Sequence, residues 1–187
     1  MKTKQKILNA ALKVLVDSGF QALTQTRVAE EAGMSQGLLT YHFPTRSDLL
    51  KAVVDESKAR MGHFRTLEQS GALSWAAIEE IMTNFALSSN MPRLMLALTI
   101  AGDDDPSLAA WFADSDLNTR QNFRALIAQI GYQADDASLH LMRATVIGAA
   151  LIHLQQNSEA SEQIARAVIK KAFEQLVSNA TPLEITT

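Results

Sequence analysis

The sequence predicts an all-α protein, with a three-helix head at the N-terminus followed by a larger helical-bundle body. Only 8 glycines and 4 prolines interrupt its 187 residues, and so few breaks favour long helices over a many-stranded sheet. Hydrophobic residues make up 47% of the chain and charged residues 20%, which excludes wholesale disorder. We expect the head over residues 1–45, the body over residues 46–180 and a frayed tail over residues 181–187.

The composition also limits the classes of function. The chain has no cysteine, which excludes disulfide frameworks, Cys-ligated zinc, iron–sulfur clusters and thiol catalysis. No apolar run near the N-terminus resembles a signal peptide. The longest apolar stretch, residues 144–152, is too short to span a bilayer. We therefore expect a cytoplasmic protein.

The first predicted helix spans residues 3–18. Thr3 is its candidate cap, and Gly19 is its terminator because glycine readily takes the conformation that ends a helix. One face of this helix is apolar and carries Ile7, Ala11, Val14 and Leu15.

Two short helices follow, each with a clear cap. Thr24 caps the second helix, which ends before Gly33, and Ser35 caps the third. The third helix ends by Phe43, because Pro44 disfavours helical geometry at the residue before it. Two short helices joined by a tight turn form a helix-turn-helix, whose second helix lies in the DNA major groove. Helical hairpins that bind no DNA are also common, so the spacing alone leaves both interpretations open.

The third helix has one inward and one outward face, since successive residues turn by about 100° around the helix axis. Leu39 and Phe43 lie together on the inward face. The opposite face carries Gly37, Leu38 and Tyr41, and the flanks carry Gln36, Thr40 and His42.

The outward face suits contact with a duplex better than contact with solvent. Its mid-helix glycine costs about 1 kcal/mol of helix propensity, but allows close approach to the backbone. Leu38 can contact a thymine methyl group, and Gln36 can pair with adenine N6 and N7. Thr40, Tyr41 and His42 can reach phosphates or base edges. The alternative is that Tyr41 and His42 pack on the rest of the chain.

The charge distribution agrees with a head that meets a polyanion. Residues 1–60 contain nine basic and six acidic residues, whereas the rest contains eight and fourteen. Lys4, Lys6 and Arg46 fall in the first turns of helices, where cations oppose the helix dipole. Phosphate binding would compensate for this placement. Chance clustering and ordinary solvated helix ends are the alternatives.

Residues 24–43, followed by residues 45–50, resemble the DNA-binding domain of TetR-type transcriptional repressors. The matching segments read TQTRVAEEAGMSQGLLTYHF and TRSDLL. Their shared elements are an Ala-Gly-x-Ser turn, Gly and Leu in the third helix, a His-Phe ending and a basic residue before a Leu-rich helix. The resemblance covers about the first 50 residues. It implies a dimer that binds a palindromic operator and releases it when a small molecule enters the C-terminal domain.

The resemblance also implies roles for individual residues. It places base contacts at Gln36, Gly37 and Leu38. It places phosphate and flanking contacts at Thr24, Thr26, Thr40, Tyr41, His42 and Arg46. The chain departs from the family pattern at Thr40, usually aromatic, at Arg46, usually lysine, and at Gln25, commonly apolar. These departures affect the inferred operator sequence rather than the expectation of DNA binding.

The body is predicted to contain six helices. Thr45, Ser74, Pro92 and the Asp105-Pro106 pair mark helix starts, with Thr45 as a cap, and Gly131 marks a helix end. The predicted ranges are 45–68, 74–89, 92–101, 105–130, 136–156 and 159–178.

Large apolar side chains in the body have two possible roles. Most such residues form a core, but methionine and aromatic side chains also suit adaptable ligand cavities. The candidate pocket residues are Trp75, Met82, Phe85, Met95, Trp111, Phe112 and Phe123.

The last two predicted helices are candidates for a dimer interface. Helix 136–156 is apolar nearly all round, and helix 159–178 has an apolar stripe. A two-fold four-helix interface would cover both, and burial within one subunit is the alternative. The candidate interface residues are Ile147, Leu151, Val168, Ala172, Phe173 and Leu176.

We expect no metal, no cofactor and no enzymatic activity. The run of three aspartates at 103–105 lacks the spacing of a calcium loop, and Asp105 is already a helix cap. The histidines at 42, 63, 140 and 153 show no ligand spacing, and no nucleophile elbow or phosphate loop occurs.

The sequence therefore predicts a ligand-responsive transcriptional repressor whose partners are operator DNA, a second copy of the chain and a small-molecule effector. One alternative is a DNA-binding regulator that is controlled by a protein partner or takes no small-molecule ligand. The other is a helical enzyme or scaffold whose head binds something other than DNA.

Overall fold

A computed structural model describes residues 2–59, 73–88 and 90–183. These residues are almost entirely helical, as predicted. The helices are α1 (Thr3–Ser18), α2 (Gln25–Glu31), α3 (Gln36–His42), α4 (Arg46–Ala59), α5 (Trp75–Leu87), α6 (Asn90–Asp104), α7 (Pro106–Gln129), α8 (Asp136–Gln156) and α9 (Glu159–Asn179). A 3-10 turn over Phe20–Ala22 follows α1, and two short strands are β1 (Tyr132–Gln133) and β2 (Thr181–Pro182).

Most predicted caps are confirmed by hydrogen bonds. The Thr24 hydroxyl accepts from the Arg27 amide over 3.2 Å, and the Ser35 hydroxyl accepts from the Leu38 amide over 3.3 Å. Ser74 and Asp105 cap α5 and α7 in the same way. The exception is Thr3: α1 already includes it, and the preceding residue, Lys2, makes no side-chain cap.

The start of α4 has a reciprocal capping pair. The Asp48 amide donates to the Thr45 hydroxyl over 3.0 Å, and the Thr45 amide donates to the Asp48 carboxylate over 3.1 Å. Each side chain therefore satisfies a backbone donor that the helix leaves unpaired. The predicted continuation of this helix beyond Ala59 lies outside the described residues, as does His63.

The described residues divide into two compact units, one with 2–59 and 90–112, the other with 73–88 and 113–183. The first unit contains the predicted head, and it also contains α4 and α6. Its core is shared by Ile7 of α1, Leu39 of α3, Leu49 of α4 and Leu94 of α6, all fully buried. The first compact unit therefore does not end at the predicted domain boundary between residues 45 and 46. It extends further because α4 and α6 bury their apolar faces against the head.

The second unit is built on α5, α8, α9 and most of α7. Its core holds Ile78, Ile127, Ile169 and Phe173, each almost completely buried. By length and composition alone α8 could cross a membrane, but one side of it, including Met142 and Val146, is buried in this core.

Two further local predictions are corrected. Helix α6 begins at Asn90, so Pro92 is its third residue rather than its first. Proline is tolerated there because the first-turn amides lack helical acceptors anyway. Residues 181–183 do not fray: β2 pairs with β1 in antiparallel fashion, and the Leu183 amide donates to the Gly131 carbonyl over 2.8 Å. A two-residue strand has too little periodicity to be recognised in sequence.

Candidate nucleic-acid interface

The turn between α2 and α3 fixes how the two helices meet. Gly33 has φ of +64°, a left-handed conformation that glycine adopts without steric cost. The Gly33 amide donates to the Glu30 carbonyl, and the Met34 amide donates to the Ala29 carbonyl, both over 3.0 Å. This pair of bonds is the Schellman arrangement, which ends α2 and leads directly into α3.

The two faces of α3 differ as predicted. Leu39 is fully buried and Phe43 is 3% exposed. On the other side, Leu38 is 40% exposed and Tyr41 is 81% exposed. The alternative in which Tyr41 packs on the rest of the chain is therefore wrong, and α3 offers a leucine and a tyrosine to an external partner.

Gly37 has no packing role among residues 2–59, 73–88 and 90–183. A Cβ atom added at this position would meet no other atom within 4 Å. The glycine weakens the helix, yet no neighbouring part of the described chain requires its small size. Close approach of an external partner to the helix backbone would explain it.

Two adjacent side chains of α2 hold α3 at its two ends. The Gln25 amide nitrogen donates to the Phe43 carbonyl over 2.8 Å and to the Pro44 carbonyl over 2.9 Å. The Thr26 hydroxyl donates to Gln36 Oε1 over 3.1 Å. Gln25, a departure from the family pattern, thus has a clear function: it satisfies carbonyl groups at the end of α3 that the helix leaves unpaired.

Arg46 is engaged inside the head rather than free. Its guanidinium carbon lies 3.9 Å from the centre of the Phe20 ring, and its Nη2 donates to the Phe20 carbonyl. Burial lowers the pKa of the Arg46 guanidinium. Arg46 was expected to contact a phosphate. In this structure its side chain instead attaches the start of α4 to the segment after α1.

Several other cations lie on the surface of the head. Lys4, Lys6 and Arg27 are exposed, and Lys4 Nζ lies 5.6 Å from the centre of the Phe43 ring. Lys13, by contrast, pairs with Glu31 over 2.5 Å, and this hydrogen bond raises the pKa of Lys13. Lys4 places positive charge beside the end of α3.

The nine predicted DNA-contact residues fall into two groups by exposure. Thr40, His42 and Arg46 are half-buried, and the His42 ring meets the Tyr41 ring edge-on with centres 5.4 Å apart. The exposed group consists of Thr24, Thr26, Gln36, Gly37, Leu38 and Tyr41.

The seven predicted pocket residues are all half-buried, and they divide between the two compact units. Trp75, Met82 and Phe123 pack against the core of the second unit, which also contains Phe85. Trp111 and Phe112 pack against the core of the first unit, which also contains Met95.

Trp75 has an unusual environment among these candidates. Its ring lies 5.6 Å from the Tyr132 ring, centre to centre. Its indole Nε1 is buried and has no hydrogen-bond partner among the described residues. A buried donor without an acceptor is costly, and a ligand that supplied an acceptor atom would remove this cost.

The six predicted interface residues also differ in their exposure to solvent. Phe173 and Leu176 are each 1% exposed, inside the core of their own subunit, so burial within one subunit is correct for these two. Ile147, Leu151 and Ala172 are half-buried, and Val168 is exposed. Sequence reasoning missed most of the exposed apolar residues on α8 and α9, which are Leu141, Ile152, Ile164 and Val168.

Within the described ranges, no group of three or more His, Cys, Asp or Glu side chains is arranged to hold a metal ion. Asp105, one of the three consecutive aspartates, accepts hydrogen bonds from Ser47 and Ser107. Its carboxylate therefore has protein partners.

Comparison with known proteins points to one family. The family model for bacterial regulatory proteins of the tetR family matches residues 7–53. The chain is 27% identical over 191 residues to the HTH-type transcriptional regulator CymR of Pseudomonas putida, covering 93% of this chain and 91% of CymR.

Solved structures share the fold over nearly the whole chain. A transcriptional regulator from Rhodococcus sp. Rha1 superposes with a TM-score of 0.77 at 19% identity, covering 98% of this chain and 100% of that one. The multidrug binding protein EbrR, complexed with ethidium, gives a TM-score of 0.65 at 23% identity, covering 91% of this chain and 98% of EbrR.

Proposed function

Because this chain belongs to the TetR family of bacterial transcriptional regulators, we propose that it represses transcription in the cytoplasm by binding a palindromic operator as a homodimer. A small apolar or amphipathic molecule then releases it from DNA. We propose no catalytic activity.

The outward face of α3 is the observation on which DNA docking rests. Leu38 and Tyr41 are exposed on the same face of α3 as Gly37, whose missing side chain leaves the helix backbone accessible. In a helix-turn-helix, the second helix enters the major groove and its side chains contact base edges. Exposed Lys4 and Lys6 add positive charge that the phosphate backbone attracts.

Dimerisation is supported by apolar residues that the subunit leaves exposed. Leu141 and Ile152 on α8 are 50% and 54% exposed, and Ile164 on α9 is 62% exposed. Several exposed large apolar residues on two helices that pack together favour an interaction site there. A second copy related by two-fold symmetry would cover these residues with the same residues of its own. Such a dimer presents two α3 helices to successive major grooves, about 34 Å apart.

Control by a small molecule is supported by the half-buried aromatic and methionine side chains and by the buried indole of Trp75, which finds no acceptor in the part of the chain that the structure describes. EbrR, which has a similar fold, is a multidrug binding protein and has been crystallised with ethidium. A ligand releases DNA only through different affinities for two conformations, typically worth about 1–3 kcal/mol. The second candidate function is a DNA-binding regulator without a small-molecule ligand.

Selection of bound genomic DNA fragments by the full-length chain tests the proposed function. We expect specific fragments with a palindromic site, and an affinity that falls steeply with salt. Tyr41→Ala should weaken binding by about 1–3 kcal/mol. Leu96→Ala is the matched control, because Leu96 is an exposed apolar residue on α6 of the same unit. Absence of specific fragments, or equal binding by both variants, would contradict the assignment of α3.

Titration of compound classes against the operator complex then separates the two candidate functions. Aromatic cations, aromatic acids and neutral amphiphiles are suitable probes for an apolar site with one free donor. Release by one class supports ligand control. If no compound changes the affinity, the regulator without a ligand is correct.

A further inference from the structure

We propose that Gly37 and Leu38 together recognise the methyl group of a thymine, so that α3 requires thymine at one fixed position in each half of the operator. This inference rests on the proposed function, because it names the base feature that the docked helix contacts. The methyl group lies against the Leu38 side chain, in the space that the missing side chain of Gly37 leaves open.

The exposed leucine is the first observation that carries the inference. Leu38 is 40% exposed, whereas its neighbour Leu39 is fully buried in the core of the first unit. A leucine side chain has no hydrogen-bond donor or acceptor, so it strengthens binding only by removing apolar surface from water. For Leu38 to contribute to docking, the DNA has to present an apolar group at the same place.

The open space beside Leu38 is the second observation. Apart from its chain neighbours and the backbone of its own helix, no atom of the described residues lies within 4 Å of a Cβ atom built on Gly37. Tyr41, one turn further along α3, is largely exposed and does not fill this space. A group about the size of a methyl can therefore approach the helix backbone here.

The backbone at this point of α3 is fixed by its cap. The Leu38 amide donates to the Ser35 hydroxyl over 3.3 Å and to the Ser35 carbonyl over 3.1 Å. Gly37 and Leu38 are the second and third residues of α3, and the N-terminal residues of a recognition helix are those that contact base edges. The open space and the leucine are therefore presented to the groove as one unit.

Thymine is the base that matches this surface. In the major groove thymine presents a methyl group beside one acceptor, whereas guanine, adenine and cytosine present hydrogen-bond donors and acceptors and no methyl group. Covering such polar groups with a leucine removes their hydrogen bonds to water without replacement, which is unfavourable. Contact of Leu38 with a base edge therefore favours thymine over the other three bases.

A simpler role for the two residues makes a different prediction. If Leu38 only packed against a sugar, or Gly37 only allowed the phosphate backbone to approach, neither contact would carry base information. Removal of a thymine methyl group would then have the same effect in the unaltered protein and in variants of either residue. The dependence of the methyl effect on Leu38 and Gly37 is the readout that distinguishes the two roles.

The experiment removes single methyl groups from the DNA. The operator comes from the genomic selection, and each thymine of one half is replaced in turn by deoxyuridine, which still pairs with adenine and lacks only the methyl group. Operator affinities are measured for the full-length protein and for Leu38→Ala, Gly37→Ala and Leu96→Ala. Leu96→Ala is the matched control, because Leu96 is 43% exposed and lies on α6 of the same unit.

We expect one thymine at which deoxyuridine weakens binding of the unaltered protein about fourfold, the effect of exposing one buried methyl group. Leu38→Ala should bind the thymine and deoxyuridine operators equally, whereas Leu96→Ala should keep the difference. Gly37→Ala should bind the deoxyuridine operator at least as tightly as the thymine operator, because its own methyl group occupies the space.

A second measurement places the methyl group on a different base. Cytosine and 5-methylcytosine at the same position also differ only by a methyl group. The unaltered protein should prefer 5-methylcytosine by a similar factor, and Leu38→Ala should show no preference.

Three results would overturn the inference. These are no loss at any thymine, a loss of the same size in Leu38→Ala, and an unchanged thymine preference in Gly37→Ala. Selection of no specific DNA overturns the proposed function itself, whereas a specific operator without these methyl effects overturns this inference alone.

Discussion

The Ser47 hydroxyl donates a hydrogen bond to Asp105 Oδ2 over 2.5 Å, joining residues 58 positions apart in the chain. Ser47 lies in the first turn of α4, and Asp105 caps the start of α7. The other carboxylate oxygen, Oδ1, accepts from the Ser107 and Leu108 amides. One carboxylate therefore connects the helix that follows the helix-turn-helix to the junction between α6 and α7.

The first prediction concerns acid stability. Hydrogen bonds from Ser47 and Ser107 lower the pKa of Asp105 from 3.8 to about 2. A carboxylate with a lower pKa in the folded state stabilises the fold above its unfolded pKa, and this contribution is lost as pH falls through the folded pKa. We expect the contribution of Asp105 to disappear between about pH 4 and pH 2.

Thermal unfolding between pH 2 and pH 5 measures this effect. Asp105→Asn keeps an oxygen for the cap but cannot ionise, so its melting temperature should fall less steeply over that range than that of the unaltered protein. Asp103→Asn, an exposed position in the last turn of α6, is the matched control and should follow the unaltered protein. Parallel curves for Asp105→Asn and the unaltered protein would show that Asp105 has no such role.

The second prediction separates stability from DNA binding at Gly37. Gly37→Ala should stabilise the fold by about 0.5–1 kcal/mol, because the added methyl group meets no neighbour within 4 Å. The same methyl group should weaken operator binding on the order of tenfold, since it occupies space close to the duplex. Urea unfolding and operator titration test the two effects.

Gly33→Ala provides the contrast to this variant. Gly33 has φ of +64°, so alanine there should destabilise the fold by about 1 kcal/mol. An operator affinity unchanged in Gly37→Ala would argue that the duplex does not approach α3 at this position.

The third prediction concerns the dimer. Ile152→Glu places a charge on an exposed apolar residue of α8. It should convert the proposed dimer to folded monomers, because a charge buried without a partner is unfavourable. Sedimentation velocity measures the association state and circular dichroism the helical content. Leu96→Glu, on α6, should stay dimeric. A dimeric Ile152→Glu would place the interface elsewhere.

A related prediction concerns Phe173, a residue of α9 that lies in the buried core. This side chain is 1% exposed and its ring meets the Phe123 ring edge-on, with centres 6.4 Å apart. Phe173→Ala should lower the free energy of unfolding by about 3–5 kcal/mol. Urea unfolding measures the loss, and a small loss would mean that Phe173 is not part of the subunit core.

The fourth prediction concerns Arg46. Since its guanidinium stacks on Phe20, Arg46→Met should lower the free energy of unfolding by about 0.5–1 kcal/mol. The salt dependence of operator binding should change little. Lys6→Gln, which removes an exposed cation, should reduce the slope of log affinity against log salt by about 1 if it contacts phosphate. A reduced slope in Arg46→Met would show that Arg46 leaves Phe20 to bind phosphate.

The sequence alone determined the local features of the head. The caps Thr24, Ser35 and Thr45 were identified correctly, since each bonds a backbone amide only three residues away. The faces of α3 followed from helical periodicity, and Leu39 and Tyr41 lie on the predicted sides. These features depend on residues within about one helical turn, so the order of residues specifies them directly.

Contacts between distant residues were decided by the tertiary structure alone. No periodicity indicates that Arg46 stacks on Phe20, that Gln25 binds the carbonyl groups after α3, or that Ser47 bonds to Asp105. The same holds for Phe173, which the apolar stripe of α9 could have offered equally to a partner or to its own core. Each of these outcomes depends on which helices pack together. A pattern of apolar or polar residues indicates that a side chain needs a partner. Which partner it contacts depends on how the helices pack in the folded chain.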